Sequence, residues 1–154
     1  MRAFTVAASA AFSLFSVVAA DTPKEDIWIS NFVVRKSSTE TGTVINLVDF
    51  KITANDVTDQ GCSAELPAFP NPTETVDCGY SRYRFSLHKG TGDNEFALRM
   101  YHDFALTLLS GLYWGEGDVP VVCRAGGAGQ GDYVCTQVTP VGIFVYSKPP
   151  PADA

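Results

Sequence analysis

The stretch Cys123-Arg-Ala-Gly-Gly-Ala-Gly-Gln-Gly-Asp-Tyr-Val-Cys135 decides the fold. Two cysteines bracket a glycine-rich segment that leads directly into a strand-like run. Glycine adopts positive φ without steric cost, so the glycines from Gly126 to Gly131 favour a tight turn. A phosphate-binding loop would continue into Lys-Ser or Lys-Thr, and neither follows here. The segment therefore predicts a β-hairpin stapled by a disulfide.

The N-terminus has the pattern of a secretory signal peptide. Arg2 supplies a positive charge, residues 3–18 are mainly apolar, and Val18-Ala19-Ala20 places small residues before the polar Asp21. The apolar run is too short to span a bilayer, which takes about 20 apolar residues. We therefore expect residues 1–20 to be a signal peptide and the protein to be secreted and extracellular.

The cysteine content and the charge narrow the function classes. Export to an oxidising environment favours disulfides over metal ligands or redox thiols for the four cysteines, which are Cys62, Cys78, Cys123 and Cys135. The formal net charge is −6, and loss of the signal peptide with Arg2 makes it one unit more negative. An acidic surface repels phosphate backbones and anionic lipids, so we expect neither nucleic acid partners nor membrane insertion.

Apolar side chains recur at every second position along most of the chain. The alternation is clearest in residues 44–52, 83–88 and 96–102, and further candidate strands are residues 27–35, 62–66, 105–113, 119–123, 133–138 and 141–146. Breakers separate them, including the predicted turn Gly115-Glu116-Gly117-Asp118 and the proline-rich loop 67–75. No stretch combines a helix cap with a 3.6-residue apolar stripe. The pattern predicts an all-β protein.

The predicted architecture is one domain over residues 21–148, a single antiparallel β-barrel or closed sandwich stapled by two disulfides. A barrel is favoured because closure leaves no exposed strand edges. Residues 149–154 form a proline-rich tail of polyproline type.

Several motifs resemble one known family. The pattern Cys-Arg-Ala-Gly-Gly-x-Gly-x-x-Asp-Tyr-Val-Cys, the opening Trp28-Ile-Ser-Asn-Phe32 and Phe50-Lys-Ile-Thr-Ala54 leading to Cys62 are similar to the Alternaria major allergen family, Alt a 1. The similarity runs from about Trp28 to Lys148. It implies a secreted fungal β-barrel protein of a family that includes allergens and elicitors of plant-pathogenic fungi. Such elicitors provoke a hypersensitive response, and members bind plant defence proteins or flavonoid-like ligands.

The resemblance also implies a disulfide pattern. Four cysteines can pair in three ways, and the sequence alone leaves all three open. Carried over position by position, the family pattern pairs Cys62 with Cys78 and Cys123 with Cys135. The allergen has a further cysteine near its mature N-terminus that links two subunits, and none lies between Asp21 and Gly61. We therefore expect a monomer or a non-covalent dimer.

Catalytic motifs are absent from the sequence. It contains no Gly-x-Ser-x-Gly and no His-Glu-x-x-His. His88 and His102 could join Asp103 or Ser110 in a hydrolytic set, but a surface or structural role is favoured for each histidine. Carboxylate pairs such as Glu116 with Asp118 are more typical of solvated loops than of metal sites. We expect no enzyme activity, no cofactor and no metal.

Aromatic residues supply the remaining functional signal. Tyr113 and Trp114 precede a predicted turn, so they are the best candidates for an exposed binding pair. Arg124 is a further candidate, either in an ion pair with Asp132 or in a structural clamp of the hairpin. The sequence thus predicts a secreted fungal effector or elicitor that binds a host plant protein or receptor. The alternative is an extracellular carrier of a flavonoid-type small molecule.

Overall fold

The computed structural model describes residues 24–40, 42–106 and 109–147, without the side chains of residues 104–106, 109 and 110. The predicted signal peptide (residues 1–20) and proline-rich tail (149–154) lie outside the described residues. The described part consists of strands and connecting loops, and it contains no helix. Accordingly, none of its segments is a helix suited to cross a membrane. The all-β prediction is confirmed.

The described residues form ten strands. They are β1 (Glu25–Thr39), β2 (Gly42–Thr53), β3 (Gln60–Glu65), β4 (Val76–Asp77), β5 (Tyr83–Lys89), β6 (Phe96–Leu106), β7 (Leu109–Val119), β8 (Val121–Ala125), β9 (Asp132–Gln137) and β10 (Val141–Val145).

The strands make two antiparallel sheets. The larger sheet has the order β3-β2-β1-β9-β8, with β10 also paired to β1, and the smaller sheet has the order β4-β5-β6-β7. The long strand β1 changes partner at an irregularity between Ser30 and Val33, pairing with β10 before it and with β9 after it. There Gln137 accepts a hydrogen bond from the Phe32 backbone N–H at 3.0 Å and donates one to the Ile29 carbonyl at 3.1 Å. The Gln137 side chain therefore replaces the missing ladder contacts.

The core lies between the two sheets and is built from the alternate, inward-facing side chains. Phe32, Phe50, Phe85 and Phe96 are each at most 1% exposed and contact one another with ring centroids 4.8 to 6.2 Å apart. Burying a side chain of this size contributes roughly 1.5–3 kcal/mol. The two-residue period that predicted the strands thus also defines the core.

The predicted closed barrel is wrong in one respect, because no continuous hydrogen-bond ladder joins the two sheets of the described residues. At one junction β7 meets the chain after β10 through a single bridge between Trp114 and Tyr146. At the other junction β3 and β4 belong to different sheets. Strand β4 has only two residues and follows the proline-rich loop, and proline has no backbone N–H to donate to a ladder.

Disulfides connect Cys62 with Cys78 and Cys123 with Cys135, so no cysteine is free. This is the pairing that the resemblance implies. Cys123 and Cys135 lie directly opposite each other in the β8–β9 ladder. Cys62 lies in β3 and Cys78 directly follows β4, so the Cys62–Cys78 disulfide covalently links the two sheets.

Candidate functional site

The ion pair between Arg124 and Asp132, one of the two roles considered for Arg124, does not form. Asp132 instead accepts two hydrogen bonds from the Arg35 guanidinium, at 3.1 and 2.9 Å, and a third from the Ala128 backbone N–H at 2.9 Å. The hydrogen bond to Arg35, followed by that to Ala128, lowers the pKa of Asp132 below its ordinary value. Arg124 is exposed on β8.

The position of β9 explains this choice of partner. Strand β9 lies between β1 and β8, and both Arg35 and Arg124 face Val134 across their ladders. The Asp132 carboxylate turns towards the β1 side and into the glycine turn, where a Cβ on Gly126 would lie 2.3 Å from Asp132 Oδ2. The hairpin therefore uses its acidic residue for structure, and it leaves Arg124 available at the surface.

Tyr113 and Trp114 do not form one exposed pair. Both lie within β7, opposite His102 and Tyr101, and both are partly buried. Neighbouring residues of a strand point to opposite faces of a sheet. Tyr113 accordingly packs against the core, with its ring edge-on to His102 at 6.4 Å, whereas Trp114 lies on the outer face beside Arg99. Of these two residues, only Trp114 lies on the outer face.

The predicted turn at residues 115–118 is also wrong, because β7 continues through it. A Cβ on Gly115 would lie 2.0 Å from the carbonyl oxygen of Phe144, and one on Gly117 would lie 3.0 Å from the Ile143 side chain. These glycines therefore serve the close approach of β10 to β7 and not a reversal of the chain. The crossing places Phe144 and Tyr146 next to Trp114.

Three aromatic residues line this junction, Trp114, Phe144 and Tyr146. Trp28 lies on β1, on the other side of β10, and we call these four residues the aromatic seam. Trp28 is 50% exposed and Phe144 is 52% exposed. The register pairs Trp28 with Gly142 and Phe144 with Asp26, so the two aromatic side chains are diagonal neighbours on the outer face. Phe144, Trp114 and Tyr146 also line a cavity of about 290 Å³ together with Gly115 and Glu116. The seam is thus continuous across the two sheets.

Two polar atoms at the seam are buried and lack partners among the described residues. They are the indole Nε1 of Trp114, which is a donor, and Oδ1 of Asp26, which is an acceptor. The charged neighbours are paired, since Arg99 Nε lies 2.8 Å from Glu116 Oε2 and the Arg99 guanidinium lies 5.5 Å from the Trp114 ring. A buried polar group without a partner is rare in native proteins, and a ligand is one explanation for it.

A second polar cluster lies inside the protein, directly behind the seam. The buried Glu25 carboxylate accepts hydrogen bonds from the Tyr83 hydroxyl at 2.7 Å and the Asn55 backbone N–H at 2.8 Å. Its other oxygen lies 2.6 Å from His102 Nδ1, and the His102 ring stacks on Tyr83 at 4.1 Å. Burial and the hydrogen bond to Glu25 raise the pKa of Tyr83. We call Glu25, Asn55, Tyr83 and His102 the inner cluster.

The structure does not assemble the hydrolytic set weighed from the sequence. His102 faces inwards, whereas Asp103 pairs with Arg84, with the closest atoms 2.8 Å apart. His88 lies on β5, whereas His102 lies on β6. The Nε2 of His88 lies 2.8 Å from the Oγ of Ser86, which is also on β5. The side chain of Ser110 lies outside the described residues. Among the described residues, therefore, these histidines serve separate local contacts.

Sequence reasoning missed three of the four seam residues. Trp28 lies between the buried Ile27 and Ile29, so the two-residue period already indicates that its side chain faces outwards. The same argument applies to Phe144, which lies between Ile143 and Val145. No local signal places Phe144 next to Trp114, because that contact depends on how β10 crosses β7.

Comparisons with known proteins agree on one family. A family model described as Alternaria alternata allergen 1 matches residues 29–135. The chain is 38% identical over 164 residues to the effector protein PevD1 of Verticillium dahliae, an alignment that covers 98% of this chain and 99% of that protein. It resembles a crystal structure of the Alternaria alternata allergen Alt a 1 with a TM-score of 0.63 and 30% identity, over 80% of this chain and 89% of the allergen. A second crystal structure of the same allergen gives a TM-score of 0.60 at 29% identity, over 81% and 95% of the respective chains.

Proposed function

The chain belongs to the Alternaria alternata allergen 1 family, and from this membership we propose that it is a secreted fungal effector that binds a host plant component and triggers defence or hypersensitive cell death. The observation that carries the proposal is the alignment with the effector PevD1, at 38% identity over nearly the whole of both chains. Full-length similarity at this level supports an effector role.

Export is supported by two independent features of the chain. The first is the signal-like pattern of residues 1–20. The second is the pair of disulfides, which form and persist in oxidising compartments. Both are what an effector that acts outside the fungal cell requires.

Action by binding, without catalysis, is supported by the chemistry of the described surface. His102 is committed to the inner cluster, and His88 has Ser86 as its neighbour. The aromatic seam instead offers half-exposed rings, which combine a large contact area with polar groups and are enriched at the energetic centres of protein interfaces. We propose the aromatic seam as the binding surface.

Leaf infiltration with purified protein tests this function. We expect necrosis or induction of defence genes with the wild type, and a weaker response with Trp28→Ala at equal concentration. Tyr80→Ala is the matched control, because Tyr80 is a fully exposed aromatic residue outside the seam. The proposal fails if the wild type produces no response, or if His88→Ala abolishes the response while the melting curve is unchanged.

A flavonoid-type carrier is the second candidate function, favoured by the aromatic cavity of about 290 Å³ beside Trp114. Such a cavity suits a planar ligand that stacks on the rings. Titration with a flavonol, followed by tryptophan fluorescence, distinguishes the two functions. Tight quenching that Trp114→Ala abolishes, in a protein that elicits no leaf response, would favour the carrier.

A further inference from the structure

We propose that His102 and Asp56 form a pH-dependent switch: a doubly protonated His102 holds the Asp56 carboxylate, and a neutral His102 releases it to Arg82. His102 lies in the inner cluster on β6, and Asp56 lies in the loop 54–59 between β2 and β3. The inference goes beyond the proposed function and is independent of it, because it concerns how the fold responds to pH.

The first argument concerns the Nδ1 side of the His102 ring, which fixes where a neutral imidazole carries its proton. One oxygen of the buried Glu25 carboxylate already accepts hydrogen bonds from the Tyr83 hydroxyl and the Asn55 backbone N–H. The other oxygen lies 2.6 Å from His102 Nδ1, and an ionised carboxylate can only accept, so Nδ1 carries the donated proton. A neutral imidazole has a single N–H, so its Nε2 then carries a lone pair.

The second argument concerns Nε2, on the opposite side of the same ring. This atom is buried, makes no hydrogen bond, and lies 3.3 Å from Oδ2 of Asp56. In a neutral ring the contact sets a lone pair against a carboxylate oxygen, and a buried acceptor without a donor is unfavourable. A second proton turns Nε2 into a donor that faces this oxygen, and the contact becomes a charge-assisted pair. The charge of the His102 ring therefore decides whether the Asp56 carboxylate stays beside it.

The third argument is that Arg82 offers the Asp56 carboxylate a second partner at the surface. Arg82 Nη2 lies 3.9 Å from the same Oδ2 atom, and both side chains are more than half exposed. An exposed ion pair is weak, so it does not compete with a protonated His102, but it can receive the carboxylate once the ring is neutral. The loop stays attached to the protein because Val57 packs against the core. The switch is therefore a change of partner at one side chain.

The fourth argument comes from the other titratable and charged groups around the His102 ring. They are Glu25 on β1, Asp56 and Arg82 on the loop side, Tyr83 on β5 and Tyr113 on β7, whereas β10 contains no titratable residue. An imidazole changes charge between about pH 5 and 8. Burial and the hydrogen bond to Glu25 raise the pKa of Tyr83, so its phenol stays neutral in this range. The charge that changes in this range is therefore that of His102.

NMR of isotope-labelled protein between about pH 5 and 8.5 tests the switch. In the wild type, the signals of the Asp56 carboxyl carbon and of Arg82 Nε should shift with the same midpoint as the His102 ring. Asp56→Asn should abolish the Arg82 shift, because the amide is uncharged and can donate to a neutral Nε2. His102→Gln should hold both signals at their high-pH positions. His88→Gln is the matched control and should keep the wild-type response, because His88 lies beside Ser86 at the other end of β5.

Three results would overturn the proposal. The first is Asp56 and Arg82 signals that stay constant over the whole pH range. The second is an Arg82 shift that persists unchanged in Asp56→Asn. The third is a response that His88→Gln removes. Asp56 lies on an exposed loop and its side chain is about half exposed, so Asp56→Asn decides the question even if His102→Gln does not fold.

Discussion

Adjacent residues on β1, and likewise on β7, have contrasting environments in this protein. On β1, Glu25 points inwards and its carboxylate has three polar neighbours within 2.8 Å, whereas Asp26 points outwards with one oxygen buried and without a partner. On β7, Tyr113 packs against the inner cluster and Trp114 lies in the aromatic seam. In the inner cluster both oxygens of the Glu25 carboxylate have partners, and His102 Nε2, which makes no hydrogen bond, lies 3.3 Å from the Asp56 carboxylate. At the aromatic seam, Asp26 Oδ1 and Trp114 Nε1 have no hydrogen-bond partner among the described residues. Adjacent residues of similar chemistry therefore contact the protein interior on one face of a strand and lie at the surface proposed for binding on the other.

The largest expected difference in the free energy of unfolding is between two variants that each replace one of the neighbouring carboxylates by an amide. Glu25→Gln removes the charge and places an amide N–H₂ among groups that donate hydrogen bonds, so it should lower the free energy of unfolding by about 3 kcal/mol. Asp26→Asn, its matched control, should change that free energy by less than about 0.5 kcal/mol. Urea denaturation measures both, and equal effects would remove the distinction between the two faces.

The next largest effect on the free energy of unfolding is expected where β10 crosses β7, because this contact brings Phe144 and Tyr146 next to Trp114. Gly115→Ala would force a Cβ against the Phe144 backbone, so we expect a loss of about 1–3 kcal/mol in the free energy of unfolding. In Gly117→Ala the three nearest atoms all belong to the Ile143 side chain, with Cγ1 at 3.0 Å, and a side chain can shift more easily than backbone, so this variant should cost less. If Gly117→Ala is the more damaging variant in chemical denaturation, the close approach of the two backbones is misassigned.

The inner cluster should also make stability depend on alkaline pH. The pKa of Tyr83 is raised by burial and by its hydrogen bond to Glu25, so the neutral phenol is favoured in the folded state. Its contribution is fully present below the unfolded pKa of about 10 and is lost as pH rises above that value. In thermal melts between neutral pH and pH 11, the difference in melting temperature by which the wild type exceeds Tyr83→Phe should become smaller as pH rises. A difference that stays constant would contradict the role of the buried hydroxyl.

The smallest effect on stability is expected at the outer rings. Phe144 is about half exposed, so Phe144→Ala should change the free energy of unfolding by less than about 1 kcal/mol. Its neighbour Val145 is fully buried, and Val145→Ala should cost about 2 kcal/mol. A large loss from Phe144→Ala in the same denaturation series would make the seam a structural element and weaken its assignment to binding.

The strands and the core could be predicted from the sequence because alternation is a local property. Residues 44–52 and 83–88 lie in β2 and β5, with inward side chains such as Phe50 and Phe85 buried. The turn at Gly115 could not be rejected from the sequence, because glycine serves both chain reversals and close backbone contacts. Likewise, Arg124 and Arg35 have equivalent register positions beside Val134, and only the folded hairpin shows which one meets Asp132.

The disulfide that connects the two sheets has a consequence for resistance to proteolysis. The proline-rich loop 67–75 lies between Cys62 and Cys78, and most of its residues are at least partly exposed. Exposed loops are the preferred sites of proteolytic nicking. A cut anywhere between Cys62 and Cys78 leaves both halves of the chain covalently joined, with each sheet still attached to the other. The nicked protein would run as one species on a non-reducing gel and as two after reduction, so damage at the most accessible loop need not release a fragment.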